Sequence, residues 1–138
     1  MPEEKSSPDI WKNYAGIPRT QLVVPSILYY GYHEGRLSLA EIQKLMSENT
    51  AKRYGLDPQK GAIQIGSDAG FSFIDLDKEW TVEPSRLESK GKYSPLTGNQ
   101  LTGKIYMTIV RGEIVYREDE GIIGKRGYGQ FVKSKSEI

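Results

Sequence analysis

The sequence predicts an α+β fold in which helices come first and short strands follow. Three observations carry this. Apolar residues recur at helical spacing between residues 20 and 46, and a capping box lies among them. After Gly55 the pattern changes to period two. A two-residue turn ending in glycine then joins two β-branched runs between Gly103 and Tyr116.

Up to about Ile17 the chain is polar, with Pro2, Pro8 and Pro18 nearby and only Ile10, Trp11 and Tyr14 as large apolar side chains. This predicts an extended loop with a short turn at 9–12, Trp11 serving as a packing anchor. Leu22, Val23, Ile27 and Tyr30 then define a helix from Arg19 or Thr20 to about His33. Pro25 lies in its first turn or kinks it, and Gly35 stops it as a left-handed residue. Ser38-Leu39-Ala40-Glu41 is a capping box: the serine hydroxyl accepts the amide of Glu41 and the glutamate reaches back to the cap amide. Leu39, Ile42, Leu45 and Met46 form one apolar stripe behind it, and Asn49 or Thr50 is expected to cap a short third helix over 50–54, closed by Gly55.

In the second half, Gly61-Ala62-Ile63-Gln64-Ile65-Gly66 reads as a strand bracketed by glycines. Phe71-Ser72-Phe73-Ile74-Asp75-Leu76 reads as another, and Trp80-Thr81-Val82 as a third. A loop carrying Lys90, Lys92, Pro95 and Gly98 leads to the hairpin. There Ile105, Met107 and Ile109 alternate with Tyr106, Thr108 and Val110, Arg111-Gly112 turns, and Glu113-Ile114-Val115-Tyr116 returns. The glycine-rich tail from Gly121 is expected to be irregular and to lie on the surface. The chain thus divides into 1–55, a loop plus helices, and 56–138, rich in strands. Two or three helices and a few short strands give limited cover to Trp11, Phe71, Trp80 and Tyr106. Exposed strand edges therefore make a homo-oligomer the expected state.

Composition narrows the chemistry. With 138 residues there is room for one modest domain, and 19 basic against 18 acidic residues leave a net charge of +1. No global field draws such a chain to nucleic acid or anionic lipid, and no apolar run approaches the ~20 residues that span a bilayer. Without cysteine there are no disulfides, thiolate nucleophiles or thiolate-bound metals, which fits a reducing, cytoplasmic setting. His33 is the one histidine; zinc sites usually draw on several histidine or cysteine ligands, and a triad needs a histidine beside a serine or cysteine, so most common hydrolytic machinery is missing. A carboxylate site for magnesium or calcium stays open, although the acidic residues lack EF-hand spacing. His33 reads as a surface or helix-end residue, Asp68 as the holder of a turn between two strands, and the Lys90/Lys92 and Lys125/Arg126 pairs as solvated loops. Gly16 stands open between simple turn geometry and a substrate loop.

Five segments in order resemble the C-terminal end of the cyclic amidohydrolases, allantoinase above all, with hydantoinase and dihydroorotase as relatives. They are Pro2-Glu3-Glu4-Lys5 leading to Ile10, Trp11 and Tyr14-Ala15-Gly16-Ile17; Gly35-Arg36-Leu37-Ser38-Leu39 leading to Asn49-Thr50-Ala51-Lys52; Lys60-Gly61-Ala62-Ile63 with Gly66-Ser67-Asp68-Ala69-Gly70-Phe71; Ser94-Pro95-Leu96-Thr97-Gly98 with Gly103-Lys104 and the hairpin; and Gly127-Tyr128-Gly129-Gln130-Phe131. Thr50 stands where that family usually has proline, and Gly70 where it has a second aspartate.

The resemblance implies a helical remnant of a TIM barrel followed by part of a small composite sheet domain. In complete members a binuclear, zinc-type centre is held by four histidines, a carbamylated lysine and an aspartate, all upstream of the segment resembled here. It therefore implies no catalytic residue and no metal ligand in this chain, which by itself would be inactive and would pair with a complementing barrel fragment. One site carries over: Ala15, Gly16 and Ile17 correspond to a loop over the active site whose backbone groups hydrogen-bond the cyclic substrate. The competing expectation is a non-catalytic module that binds a protein partner or a small ligand.

Overall fold

A computed structural model describes residues 5–135. The segment Pro2-Glu3-Glu4 of the first family-like motif lies outside these residues.

Two helices precede one antiparallel sheet. The first, α1 (20–33), opens with a 3-10 turn at Thr20–Leu22, continues as α-helix over Val23–Ile27 and ends in a wider π turn, Leu28–His33. Pro25 is buried in the first turn of its α-helical part, where a missing N–H costs no helical bond. The chain leaves α1 through two reversing bonds, Gly35 N–H to the Tyr32 carbonyl (2.9 Å) and Arg36 N–H to the Gly31 carbonyl (2.8 Å).

The second helix, α2 (39–53), starts at the capping box as its sequence requires. Ser38 Oγ accepts from Glu41 N–H (3.2 Å), and the Glu41 carboxylate accepts from Ser38 N–H (2.8 Å). Its end repeats the closing pattern of α1, with Gly55 N–H to Lys52 O and Leu56 N–H to Ala51 O. The separate helix expected at 50–54 does not exist. Asn49 is helical (φ −65°, ψ −37°), and Leu39–Gln43, Lys44–Glu48 and Asn49–Arg53 run on as one rod through a central π turn. Thr50 caps nothing: its hydroxyl donates back to the Leu45 carbonyl at 3.0 Å, a bond made inside a helix rather than at its start.

The sheet is a four-stranded meander, β1 (Phe71–Thr81), β2 (Gln100–Val110), β3 (Glu113–Arg117) and β4 (Gly121–Ile122), in the order β1-β2-β3-β4. The strands expected at 71–76 and 80–82 are one element. Register shifts between Phe73 and Ile74 and between Asp75 and Glu79 break its alternation without ending its pairing to β2. Arg111 (φ 46°) and Gly112 (φ 84°) turn β2 into β3, the left-handed pair that a tight hairpin demands.

The strand expected at 61–66 is absent. Gln64 Nε2 and Ser67 Oγ both donate to the Pro58 carbonyl and fold the segment back on itself, which leaves Ile63 (88 % exposed) and Ile65 (106 %) facing solvent. Gly61 sits tightly against α2. A Cβ on it would lie 2.5 Å from that of Ala51, and its φ of +99° suits only glycine. Asp68 does hold this loop, paired with Lys60 (2.8 Å) and accepting from Gln59 Nε2 (3.2 Å).

The main core lies between α1 and the sheet: Leu22 meets Val82, Leu87 and Leu101, with Tyr29, Trp80 and Leu96 packed around them. Gly103 of β2 leaves room for Leu28 of α1. Trp11 is not the anchor expected. Asp9 accepts from its amide, closes the 3-10 turn Ile10–Lys12 and leaves the indole 92 % exposed. The tail does lie on the surface, but it is more regular than expected. It adds β4 to the sheet, stacks the Tyr128 ring under the Arg111 guanidinium (4.5 Å), and returns to α2 through Lys135 N–H to Gly55 O (2.8 Å).

Candidate functional site

Ala15, Gly16 and Ile17 lie on an exposed strap between the Ile10–Lys12 turn and the start of α1. Two polar side chains build the approach to it. Asp9 caps the turn, and Asn13 bonds Ser7 twice, accepting from its N–H (3.1 Å) and donating to its carbonyl (3.0 Å). Gly16 then takes φ +83°, and nothing among the described residues stands within 4 Å of where a side chain would be. A left-handed glycine without neighbours lets a flat group approach the backbone closely.

The strap is anchored at one atom. The Gly16 carbonyl accepts from Lys5 Nζ (2.6 Å) and from the Tyr93 hydroxyl (3.1 Å), and Lys5 also donates to the Tyr14 carbonyl. Tyr93 belongs to the loop between β1 and β2. That loop is tied in turn to α1 by Gln21, which donates to Arg86 O (3.2 Å) and accepts from Glu88 N–H (2.9 Å). Sequence reading expected a loop here, as is seen, and missed both anchors; the lysine in the family-like motif was the available signal for one.

Beside the strap, α1 and the sheet enclose an open groove of about 710 Å³, its walls including Pro18, Val24, Trp80, Lys104 and Tyr116. Trp80 Nε1 donates to Gly103 O (3.1 Å) and carries the Lys104 ammonium 5.4 Å above its ring. Glu118 bridges Lys104 (2.8 Å) and Lys78 (2.9 Å). The Lys104 hydrogen bond holds the Glu118 carboxyl below the usual range; partial burial opposes this and Lys78 assists it. Burial also pushes the Tyr116 phenol up, with the Glu118 charge adding to it.

Among the described residues no three of His, Cys, Asp and Glu are placed to hold a metal ion. His33 sits exposed at the end of α1, edge-on to Tyr32 at 5.1 Å. No helix among these residues is long and apolar enough to cross a membrane. What the site offers is hydrogen-bonding backbone on a fixed strap next to an open apolar groove.

Helices thus lead into a meander, with the strap before them. Residues 13–115 match the amidohydrolase family, and the chain belongs to it. It is 39 % identical over 128 residues to an L-hydantoinase of Paenarthrobacter aurescens, covering 93 % of this chain and 28 % of that protein. A dihydroorotase of Pyrococcus furiosus is 38 % identical over 119 residues (86 % and 28 %), and an allantoinase of Solibacter usitatus 33 % over 135 (98 % and 29 %). The solved L-hydantoinase from Arthrobacter aurescens superposes with a TM-score of 0.85 at 40 % identity, covering 91 % of this chain and 28 % of that one. The chain thus spans less than a third of the length of the relatives it matches. The family generally uses divalent metals; the described residues do not supply a donor set for one.

Proposed function

We propose that this chain acts as the C-terminal portion of a cyclic amidohydrolase, contributing the substrate-facing strap Ala15, Gly16 and Ile17 to an active site whose metal ligands and acid–base groups come from a barrel portion. The observation that carries the reading is the TM-score of 0.85 to the L-hydantoinase over 91 % of the chain, at 40 % identity. The reaction is hydrolytic ring opening: water adds across a ring amide, the C–N bond breaks, the carbonyl carbon becomes a carboxylate and the nitrogen leaves protonated. Hydantoins and allantoin share a five-membered cyclic ureide, so that ring is the substrate class proposed, with allantoin the first to test. By itself the chain is expected to be inactive.

The test is complementation. The purified chain is mixed with the portion of the Paenarthrobacter L-hydantoinase that it does not match, and ring opening of allantoin, a 5-substituted hydantoin and dihydroorotate is followed. Activity that appears only on mixing, disappears with a chelator and returns with zinc supports the proposal. Hydrolysis by the chain alone refutes its inactivity. A stable chain that ignores the barrel portion favours a non-catalytic binding module instead.

A further inference from the structure

Helix α2 and the loop after it form one unit. Gln43 Nε2 donates to the Gly61 carbonyl (3.2 Å), and Gly61 sits against Ala51. Asp68 closes the loop on itself through Lys60 (2.8 Å) and through its own N–H to Gln59 O (3.0 Å). Helix α2 packs on the end of α1, but among the described residues no hydrogen bond or ion pair joins it to a strand.

The unit meets the sheet at the β2–β3 turn. Gly112 N–H donates to Ala69 O (2.9 Å), where the loop runs into β1. Beside it Arg111 holds the tail. Its guanidinium donates to the Tyr128 carbonyl and lies over the Tyr128 ring (4.5 Å). The Tyr128 hydroxyl donates back to the carbonyls of Val110 (3.2 Å) and Arg111 (3.3 Å). Lys60 chiefly, and more weakly the Arg111 charge, hold the Asp68 carboxyl below its usual range, which sets Arg111 between loop and tail.

From Tyr128 the chain runs to Lys135, at most about 25 Å when extended. There Lys135 N–H donates to Gly55 O (2.8 Å) at the end of α2. The tail thus closes a ring from α2 through the loop and the β2–β3 turn back to α2. Apolar burial does not keep it there, since Phe131 in its middle is 89 % exposed. What fixes one end is a planar guanidinium that stacks and donates at once. With that end fixed, the short span keeps the Lys135 amide at high local concentration beside Gly55. With it free, one exposed backbone bond adds little.

We infer that the tail over 125–135 is a latch that holds the α2 unit against the sheet, with the Arg111–Tyr128 contact as its catch. Closed, the last turn of α2 and the loop move with the sheet. Open, they pivot on the end of α1 and on the entry to β1. The latch does not depend on the proposed function.

Peptide-resolved hydrogen exchange on the full chain tests this with three variants. Tyr128→Ala removes the catch, Arg111→Lys keeps the charge without the planar fork, and Tyr128→Phe keeps the ring without the hydroxyl. Amides over 49–56 and 59–68 are expected to exchange about ten-fold faster in Tyr128→Ala and Arg111→Lys, and about three-fold faster in Tyr128→Phe. Amides of α1 over 23–33 and of β2 over 101–109 should keep their wild-type rates. Unchanged exchange at 49–56 and 59–68 overturns the latch. Faster exchange in all four segments alike overturns it too, because the contact then serves general stability. Tyr128→Phe removes a single oxygen at a half-buried position, so it decides the matter where the other two variants do not fold.

Discussion

Glu118 shows how single residues couple this fold to pH. Its folded-state pKa lies below the ordinary glutamate value, first because Lys104 donates to it and then because Lys78 does. Between the folded and unfolded values the unfolded chain binds more protons, so stability rises with pH across that window. The contribution is complete above about pH 4.3 and is lost as pH falls toward the folded value. Asp68, lowered chiefly by Lys60, acts in the same direction. Glu118→Gln is therefore expected to lower stability at pH 7 by about 1 kcal/mol, a modest figure because the pair is partly open to solvent. Thermal melts at pH 7 and pH 3 check this: the gap between wild type and variant should close at the lower pH, and a constant gap would assign the loss to packing. At this scale the sequence revealed what is local. Ser38 with Glu41, and Asp68 in its turn, were readable because their partners lie within ten residues. Tyr93 was not, since it meets Gly16 only through the tertiary fold. Trp11 misled because hydrophobicity argues for burial, while the Asp9 cap that sets its direction carries no sign of which side is solvent.

Elements were legible in proportion to how far their ends are chemically marked. The β2–β3 hairpin was placed correctly because its turn needs two left-handed residues and Arg111-Gly112 supplies them. The start of α2 was placed because a capping box satisfies two otherwise orphaned amides at once. Its interior was not, because Asn and Thr suit both a cap and a back-bonded interior site, and only the Thr50-to-Leu45 bond separates the two. The lost strand at 61–66 has a similar origin. Alternation at Ile63 and Ile65 carries no information about whether a neighbouring strand exists, and none among the described residues pairs with it. The capping box supports a direct prediction. Ser38→Ala removes the acceptor for Glu41 N–H and leaves the Glu41 carboxylate one donor short, so unfolding in urea should show a loss of about 1 kcal/mol. Ser38→Asp, which restores the acceptor, should recover most of it. If both variants lose the same amount, Ser38 acts through packing with Leu37 or Leu39 and not as a cap.

Across the whole molecule, surface area argues for a missing cover. The chain exposes 10307 Å² at a mass of 15.6 kDa. A compact monomer of that mass exposes about 7,250 Å², so the excess is roughly 40 %. Besides Pro25, seven hydrophobic side chains are buried among the described residues, against fourteen large ones left exposed, Ile10, Trp11, Tyr14 and Phe131 among them. Such a balance leaves apolar surface that water disfavours, on the strap side and along the groove between α1 and the sheet. β1 adds to it as an eleven-residue edge strand with one side unpaired among the described residues. Two ways of covering this surface are open to the chain, another copy of itself or the barrel portion proposed above. The chain alone is therefore expected to sediment as a concentration-dependent mixture of monomer and oligomer between about 1 and 100 µM, the range typical of modest interfaces. It should also bind an apolar dye such as anilinonaphthalene sulfonate. Adding the barrel portion should abolish both effects in step with the appearance of activity, because the same surface cannot serve two covers at once. If the chain instead remains a dye-free monomer at every concentration, its exposed apolar residues are tolerated as they stand, and the physical case for a covering partner is lost even if the fold is as described.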